Sequence, residues 1–205
     1  MTSKFSVLLA VLALFSGCPN ARIPRIPGDP PPAVRDADAE AKYQETLERF
    51  TSGRGVFDNL DTKVFVRATW QSPTFVAARI EREAMFKDWP KQLHAEKLEL
   101  ERNRVSDATE FFFAVHANDY KFEDFGQPNT MWRLVLVVGD QELPAVSIDR
   151  LGRSNVEMRS YYSYMENFWV GYRIRFPKHE FTKGELFHFK MASALGLAEL
   201  PYTAD

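Results

Sequence analysis

The sequence predicts a mainly β domain built as a two-sheet antiparallel sandwich, with an inserted α-helical hairpin and a short N-terminal helix. Three observations carry that reading. Segments of strict apolar and polar alternation recur along the chain, each long enough for one strand. Turn residues such as Gly139-Asp140 separate them. Aromatic residues make up 14% of the 205 residues, with seventeen Phe, a composition that suits packed β-structure and argues against disorder.

Taken in order, Ala41, Leu47 and Phe50 among Glu40, Lys42, Glu45 and Glu48 predict a first helix over 38–50. Gly53-Arg54-Gly55 breaks it and leads into a short strand over 54–58. That tripeptide is not a dinucleotide fingerprint, because Asp58 stands where the third glycine belongs. Over 62–70, Val64, Val66, Ala68 and Trp70 share one face, and Lys63, Phe65, Arg67 and Thr69 the other. Ser72 then serves as N-cap and Pro73 as the first helical residue. The helical pattern runs to Trp89, Pro90 interrupts it, and a second helix spans 91–105. This insert, about 72–108, holds seven positive and seven negative residues between Ser72 and Ala108, with close pairs such as Lys97 and Glu101. Balanced charge of that kind reads as a solvated hairpin rather than a docking surface.

The β-pattern returns after the hairpin. Expected strands cover 109–117, with Phe111, Phe112, Phe113 and Val115, and 131–138, with Trp132, Leu134, Leu136 and Val138 on one face. A strand over 144–151 and a loop or short helix over 155–162 come next. Phe168, Val170, Tyr172, Ile174 and Phe176 then alternate with Trp169, Gly171, Arg173 and Arg175 over 168–176. Segments 186–191 and 197–202 complete seven or eight strands, the last an edge candidate. The layout is immunoglobulin-like in a loose sense, and it lacks the paired cysteines of true immunoglobulin domains. The expected core includes Trp70 and Trp132, with Trp169 on the opposite parity.

The first eighteen residues have a different character. Lys4 and the amino terminus precede an apolar run from Phe5 to Phe15, broken only by Ser6 and too short for a stable membrane span. Leu14-Phe15-Ser16-Gly17-Cys18 follows, and Cys18 is the chain's single cysteine. This peptide resembles the lipobox of bacterial lipoproteins, with Ser16, Gly17 and Cys18 matching and Phe15 where leucine is usual. The resemblance covers this peptide alone. It implies that signal peptidase II cuts after Gly17 and that Cys18 carries a diacylglyceryl group, holding the protein to a membrane. Pro19 follows the cysteine where an aspartate would signal inner-membrane retention in enteric bacteria, which favours the outer membrane of the cell envelope. Two or three acyl chains anchor a protein stably where one does not. Pro19, Pro24, Pro27, Pro30, Pro31 and Pro32 are six of the twelve prolines, so residues 18–38 form an extended, proline-rich tether. The expected organisation is a signal peptide over 1–17, the tether over 18–38 and the sandwich domain over 39–205.

Chemistry is harder to find. A net charge of −2 argues against nucleic acid. With one cysteine no intramolecular disulfide forms. The four histidines, His94, His116, His179 and His188, follow no zinc pattern. No nucleophile elbow, P-loop or cofactor motif is present. The loop Asn118-Asp119-Tyr120-Lys121-Phe122-Glu123-Asp124 offers oxygens of the kind calcium takes, but departs from EF-hand spacing and reads as a surface loop. Tyr161-Tyr162-Ser163-Tyr164 with Phe168 and Trp169 forms an aromatic series, either packing or a stacking platform for glycan or peptide. Two functions therefore compete. The favoured one is a non-catalytic envelope lipoprotein presenting its domain to a protein or cell-wall partner. The alternative is a hydrolase of envelope polymers using carboxylates such as Glu110, Glu123 or Asp124.

Overall fold

Asp36 caps the first helix, its Oδ1 accepting hydrogen bonds from Asp38 N at 3.0 Å and Ala39 N at 3.1 Å. Helix α1 (Ala37–Arg49) follows, burying Tyr43 and Leu47. The structure is a computed structural model that describes residues 36–58 and 61–205. The signal peptide, Cys18 and the tether up to residue 35 lie outside the described residues.

Among the described residues, nine strands form two antiparallel sheets. Sheet A has the order β1 (Thr51–Asp58), β2 (Asp61–Trp70), β3 (Ala108–Ala117), β7 (Val170–Pro177) and β6 (Ser147–Arg153). Sheet B has the order β5 (Gln141–Pro144), β4 (Arg133–Val138), β8 (Leu186–Ser193) and β9 (Gly196–Thr203). The expected sandwich is thus present, with one strand more than expected. The segment read as a single strand over 144–151 divides between the sheets. Ala145 N donates to Leu134 O at 3.1 Å in sheet B, and Val146 N donates to Arg175 O at 2.8 Å in sheet A. The chain therefore crosses between Ala145 and Val146, the last donor to sheet B and the first to sheet A.

Period-two alternation decides what fills the space between the sheets. Val64, Val66, Phe111, Phe113, Ile174 and Phe176 point inward from sheet A, and all are buried. They meet Phe187, Phe189, Leu136 and Leu200 from sheet B. Phe111 stacks on Phe189 at 5.3 Å, and Phe113 meets the same ring edge-on at 5.3 Å. Each such side chain contributes roughly 1.5–3 kcal/mol by leaving water. Trp70 and Trp132 are core residues as expected. Trp132 stacks on Phe125 at 5.1 Å and donates its indole N–H to Phe122 O at 2.9 Å.

A helical layer covers part of sheet A's other face. Helix α2 (Pro73–Lys87) starts where Ser72-Pro73 predicts, with Ser72 Oγ accepting from Phe75 N at 3.1 Å. It buries Phe75, Val76 and Ile80, whereas α3 (Lys91–Ser106) buries nothing. Glu101 does not serve a pair within its own helix with Lys97. It bridges to Arg79 on α2 and to Arg104 at 2.9 Å. Arg82 binds Glu40 of α1 at 2.7 Å and lies 4.4 Å over the Tyr43 ring. The short helix α4 (Val156–Tyr161) brings Tyr162 onto Phe112, the rings stacked at 3.6 Å. Gly171 permits this, since a Cβ there would sit 3.2 Å from the Phe112 ring.

One expected alternation fails at its first residue. Phe168 has φ 76 and is 70% exposed, so it does not join Val170 in the core, and β7 begins at Val170. A bulky residue in the left-handed region breaks the pleat that alternation assumes.

Candidate functional site

The part of sheet A's outer face beyond the helices is open, and four strand positions build it. Gly55 of β1 faces Phe65 of β2, and Phe65 faces His116 of β3. Val115 faces Val170, so the next rung sets His116 beside Trp169, their rings 6.1 Å apart and 24° from parallel. At the far end Phe57 swings over Gly55, where a Cβ would lie 2.7 Å from the Phe57 ring. Phe57 and Phe65 meet edge to face at 6.0 Å, and both are exposed. The result is a row of rings running across the strands: Phe57, Phe65, His116, Trp169.

Phe65, His116 and Trp169 of this row floor a groove of about 810 Å³, walled by α1 and by the segment after α4. Several of its polar groups are held in place. Gln44 of α1 donates to Glu40 and accepts from Ser163 Oγ, each at 2.7 Å. Tyr164 shares a hydrogen bond with Thr69 at 2.7 Å, and the Arg67 guanidinium lies 5.3 Å over its ring. Burial pushes the Tyr164 phenol well above its ordinary value, against the opposing effect of Thr69, so it lines the groove uncharged. Glu48 and Glu166 stand exposed at the groove, and His116 Nδ1 is buried with no hydrogen-bond partner among the described residues, whereas Arg54 pairs with core-facing Val66 and leaves β1 on the other parity. Glycines at 53 and 55 make room for side chains lying over β1, since a Cβ would come within 2.9 Å of Arg67 at Gly53 and 2.7 Å of Phe57 at Gly55. The arrangement offers ring faces beside hydrogen-bonding groups of both signs, which is the chemistry of recognising a ligand with apolar faces and polar edges.

Of the aromatic series singled out from sequence, Trp169 and Tyr164 line the groove and Phe168 stands exposed next to it. Tyr161 and Tyr162 are buried beneath the helical layer, where burial takes Tyr162 up to about 12. The candidate carboxylates do not meet. Glu110 lies on the outer face of sheet A, only 4% exposed, held by Arg104 and within 3.7 Å of Arg173 and 3.9 Å of Arg175. Glu123 belongs to the loop after β3 and approaches Arg150 at 4.0 Å. Asp124 accepts from Thr130 Oγ1 at 3.1 Å and Met131 N at 3.2 Å, and Asp119 accepts from Lys121 N at 3.0 Å. These loop acids cap their own backbone. Among the described residues no group of three His, Cys, Asp or Glu converges as a metal site would require. His94 and His179 pair with Glu81 and Glu185, each at 3.4 Å, and His188 is exposed on sheet B.

The groove residues that sequence reasoning missed are Phe65, Glu48 and Glu166. Phe65 carried a signal, since an aromatic on the polar parity of a clean strand asks for a reason. His116 and Trp169 shared that parity on their own strands, but only the register puts them in one row.

No protein-family model matches this chain. No curated protein matches it either. Among solved structures, a protein of unknown function from Burkholderia pseudomallei K96243 aligns with 80% of this chain and 83% of its own, at 10% identity and a TM-score of 0.43. A likeness that weak carries no role across, and the reading of this chain rests on its own residues.

Proposed function

We propose that the protein is a lipid-anchored envelope lipoprotein whose domain is a non-catalytic binding module, engaging its partner through the groove on sheet A. The single observation that supports the binding role is the row Phe57, Phe65, His116 and Trp169, left uncovered on a face whose other half is sealed by helices. Aromatic surface left in water beside unpaired polar groups marks a binding site more often than a packing defect. Anchoring is supported by Ser16-Gly17-Cys18 after an apolar run. The partner on this reading is a component of the envelope, and the membrane is engaged only through lipid on Cys18.

Two measurements in the native cell test the two halves. Labelled fatty acid should enter the protein and be lost in Cys18→Ala, with uncut precursor or a soluble form accumulating. Label retained in that variant removes the anchor. A photo-crosslinking residue at Phe65 should capture a discrete partner, whereas one at Glu199 on sheet B should not. Equal capture from both faces, or capture from Glu199 alone, removes the groove as the binding surface.

A further inference from the structure

We infer that the ligand of the groove is a neutral, linear sugar chain lying across the strands with its ring faces on Phe65 and Trp169, an inference that rests on the binding-module reading. Four observations carry it. First, the rings lie in a line rather than in a pocket. From β2 to β7 the groove's rings Phe65, His116 and Trp169 cross two interstrand gaps of about 4.8 Å, so they run about 10 Å, the length of about two pyranose rings. Second, the line is chemically two-sided. Aromatic faces suit the C–H faces of pyranoses, while Gln44, Ser163 and the imidazole of His116 border them with hydrogen-bonding groups suited to hydroxyls.

Third, the charge at the groove is small and mixed. Arg67 stands against Glu48 and Glu166, and its guanidinium is already taken up over the Tyr164 ring. A nucleic acid or uronic acid chain would meet the two carboxylates, and a basic peptide the Arg67 guanidinium. An extended apolar peptide would need pockets for alternate side chains, and here the strand next to the open edge offers Gly53 and Gly55. Fourth, the unpartnered polar atoms are the kind a hydroxyl satisfies. His116 Nδ1 is buried without a hydrogen bond among the described residues, and Glu48 and Glu166 stand exposed at the groove. A sugar hydroxyl, donor and acceptor at once, serves both a carboxylate and a guanidinium without a net charge.

Titration calorimetry on the purified full-length protein in detergent tests this, with chitotetraose and cellotetraose as neutral probes and an oligogalacturonate as the charged one. Saturable binding of a neutral probe is expected, weakened about tenfold or more in Trp169→Ala and in Phe65→Ala. Leu186→Ala, on the exposed face of sheet B, should bind like the parent. Thermal melts of all variants show that each is folded. Preference for the oligogalacturonate, or neutral binding unchanged in both aromatic variants, overturns the inference. If no sugar binds while the Phe65 crosslink captures a protein, the sugar ligand falls and the binding module stands. If no sugar binds and the crosslink captures nothing, both fall. If a neutral probe binds and is cut, and Glu48→Gln or Glu166→Gln stops the cutting, the ligand class stands and the non-catalytic reading falls.

Discussion

The outer face of sheet A has two halves built by the same alternation and finished differently. Toward the hairpin, Phe112 and Glu110 of β3 and Thr69 of β2 are sealed beneath α2, α4 and Tyr162. Toward the β1–β2 turn, the same two strands present Phe65 and His116 to an open groove. One strand therefore carries a second core at one end and a binding surface at the other. An aromatic residue on a solvent-parity position means packing where a helix lies over it and recognition where none does. The difference is testable, because deleting a ring should cost stability in one half and binding in the other.

The largest effect belongs to the covered half. Phe112→Ala removes a ring that is 5% exposed and stacked on Tyr162. Large-to-small changes of this kind cost about 3–5 kcal/mol, a large part of a total of roughly 5–15 kcal/mol. Thermal unfolding should show a sharp drop in Tm or a failure to accumulate. A variant melting like the parent would mean that the helical layer is not held to the sheet through this ring.

Glu110→Ala comes next. Its carboxylate is 4% exposed, against 27% for Arg104, 43% for Arg173 and 36% for Arg175. Removing it leaves three guanidiniums gathered over one spot, but water reaches them, so the cost is discounted to about 2 kcal/mol. Urea unfolding measures it. A loss confined to the sheet–hairpin contact should also raise protease cleavage within 88–107. Glu110→Ala that is as stable as the parent would make this cluster ornamental to the fold.

A smaller and graded effect should follow pH. Burial alone would raise the carboxyls of Glu40 and Glu101. Arg82 and Gln44 more than offset it at Glu40, and Arg104 and Arg79 do so at Glu101, so both titrate below the ordinary range. A carboxyl lowered in the folded state contributes stability that is present above its unfolded value, about 4.3, and lost as pH falls through the folded value. Unfolding free energy should therefore decline below about pH 4.3, and the decline should be shallower in Glu101→Gln. An identical slope in that variant would remove the pair with Arg79 from the account.

Much of this fold was legible because alternation and caps are local. Ser72-Pro73 announces α2, and the parity of Val64 to Trp70 announces the core face, both correctly. What was hidden depends on partners far along the chain. The rings Phe111, Phe112 and Phe113 placed a strand over 109–117, yet nothing local says that Phe112 is covered on the outer face or that Tyr162 supplies the cover. The groove was legible only in fragments. Trp169 and Tyr164 stood out as aromatics, but Phe65 and His116 join them through strand register, which no single segment encodes. Phe168 misled because its φ is a property of the turn before β7 rather than of the alternation after it.

The smallest stability effect is expected at Trp169, and there the comparison is sharpest. Trp169 is partly exposed, stacks on His116 and closes the row at β7. Its ring rests on the open half of the sheet, so Trp169→Ala leaves a surface that water can reach rather than an empty cavity, and the cost should stay within about 1 kcal/mol. Trp132→Ala, on a ring 4% exposed, is the counterpart and should cost about 3–5 kcal/mol. Acrylamide quenching of tryptophan emission separates the two positions: the quenchable fraction should fall in Trp169→Phe and rise in Trp132→Phe. If Trp169→Ala unfolds the domain while Trp132→Ala melts like the parent, the inner and outer faces have been exchanged. The row of rings would then be core, and the open half of sheet A would offer a ligand nothing to stack on.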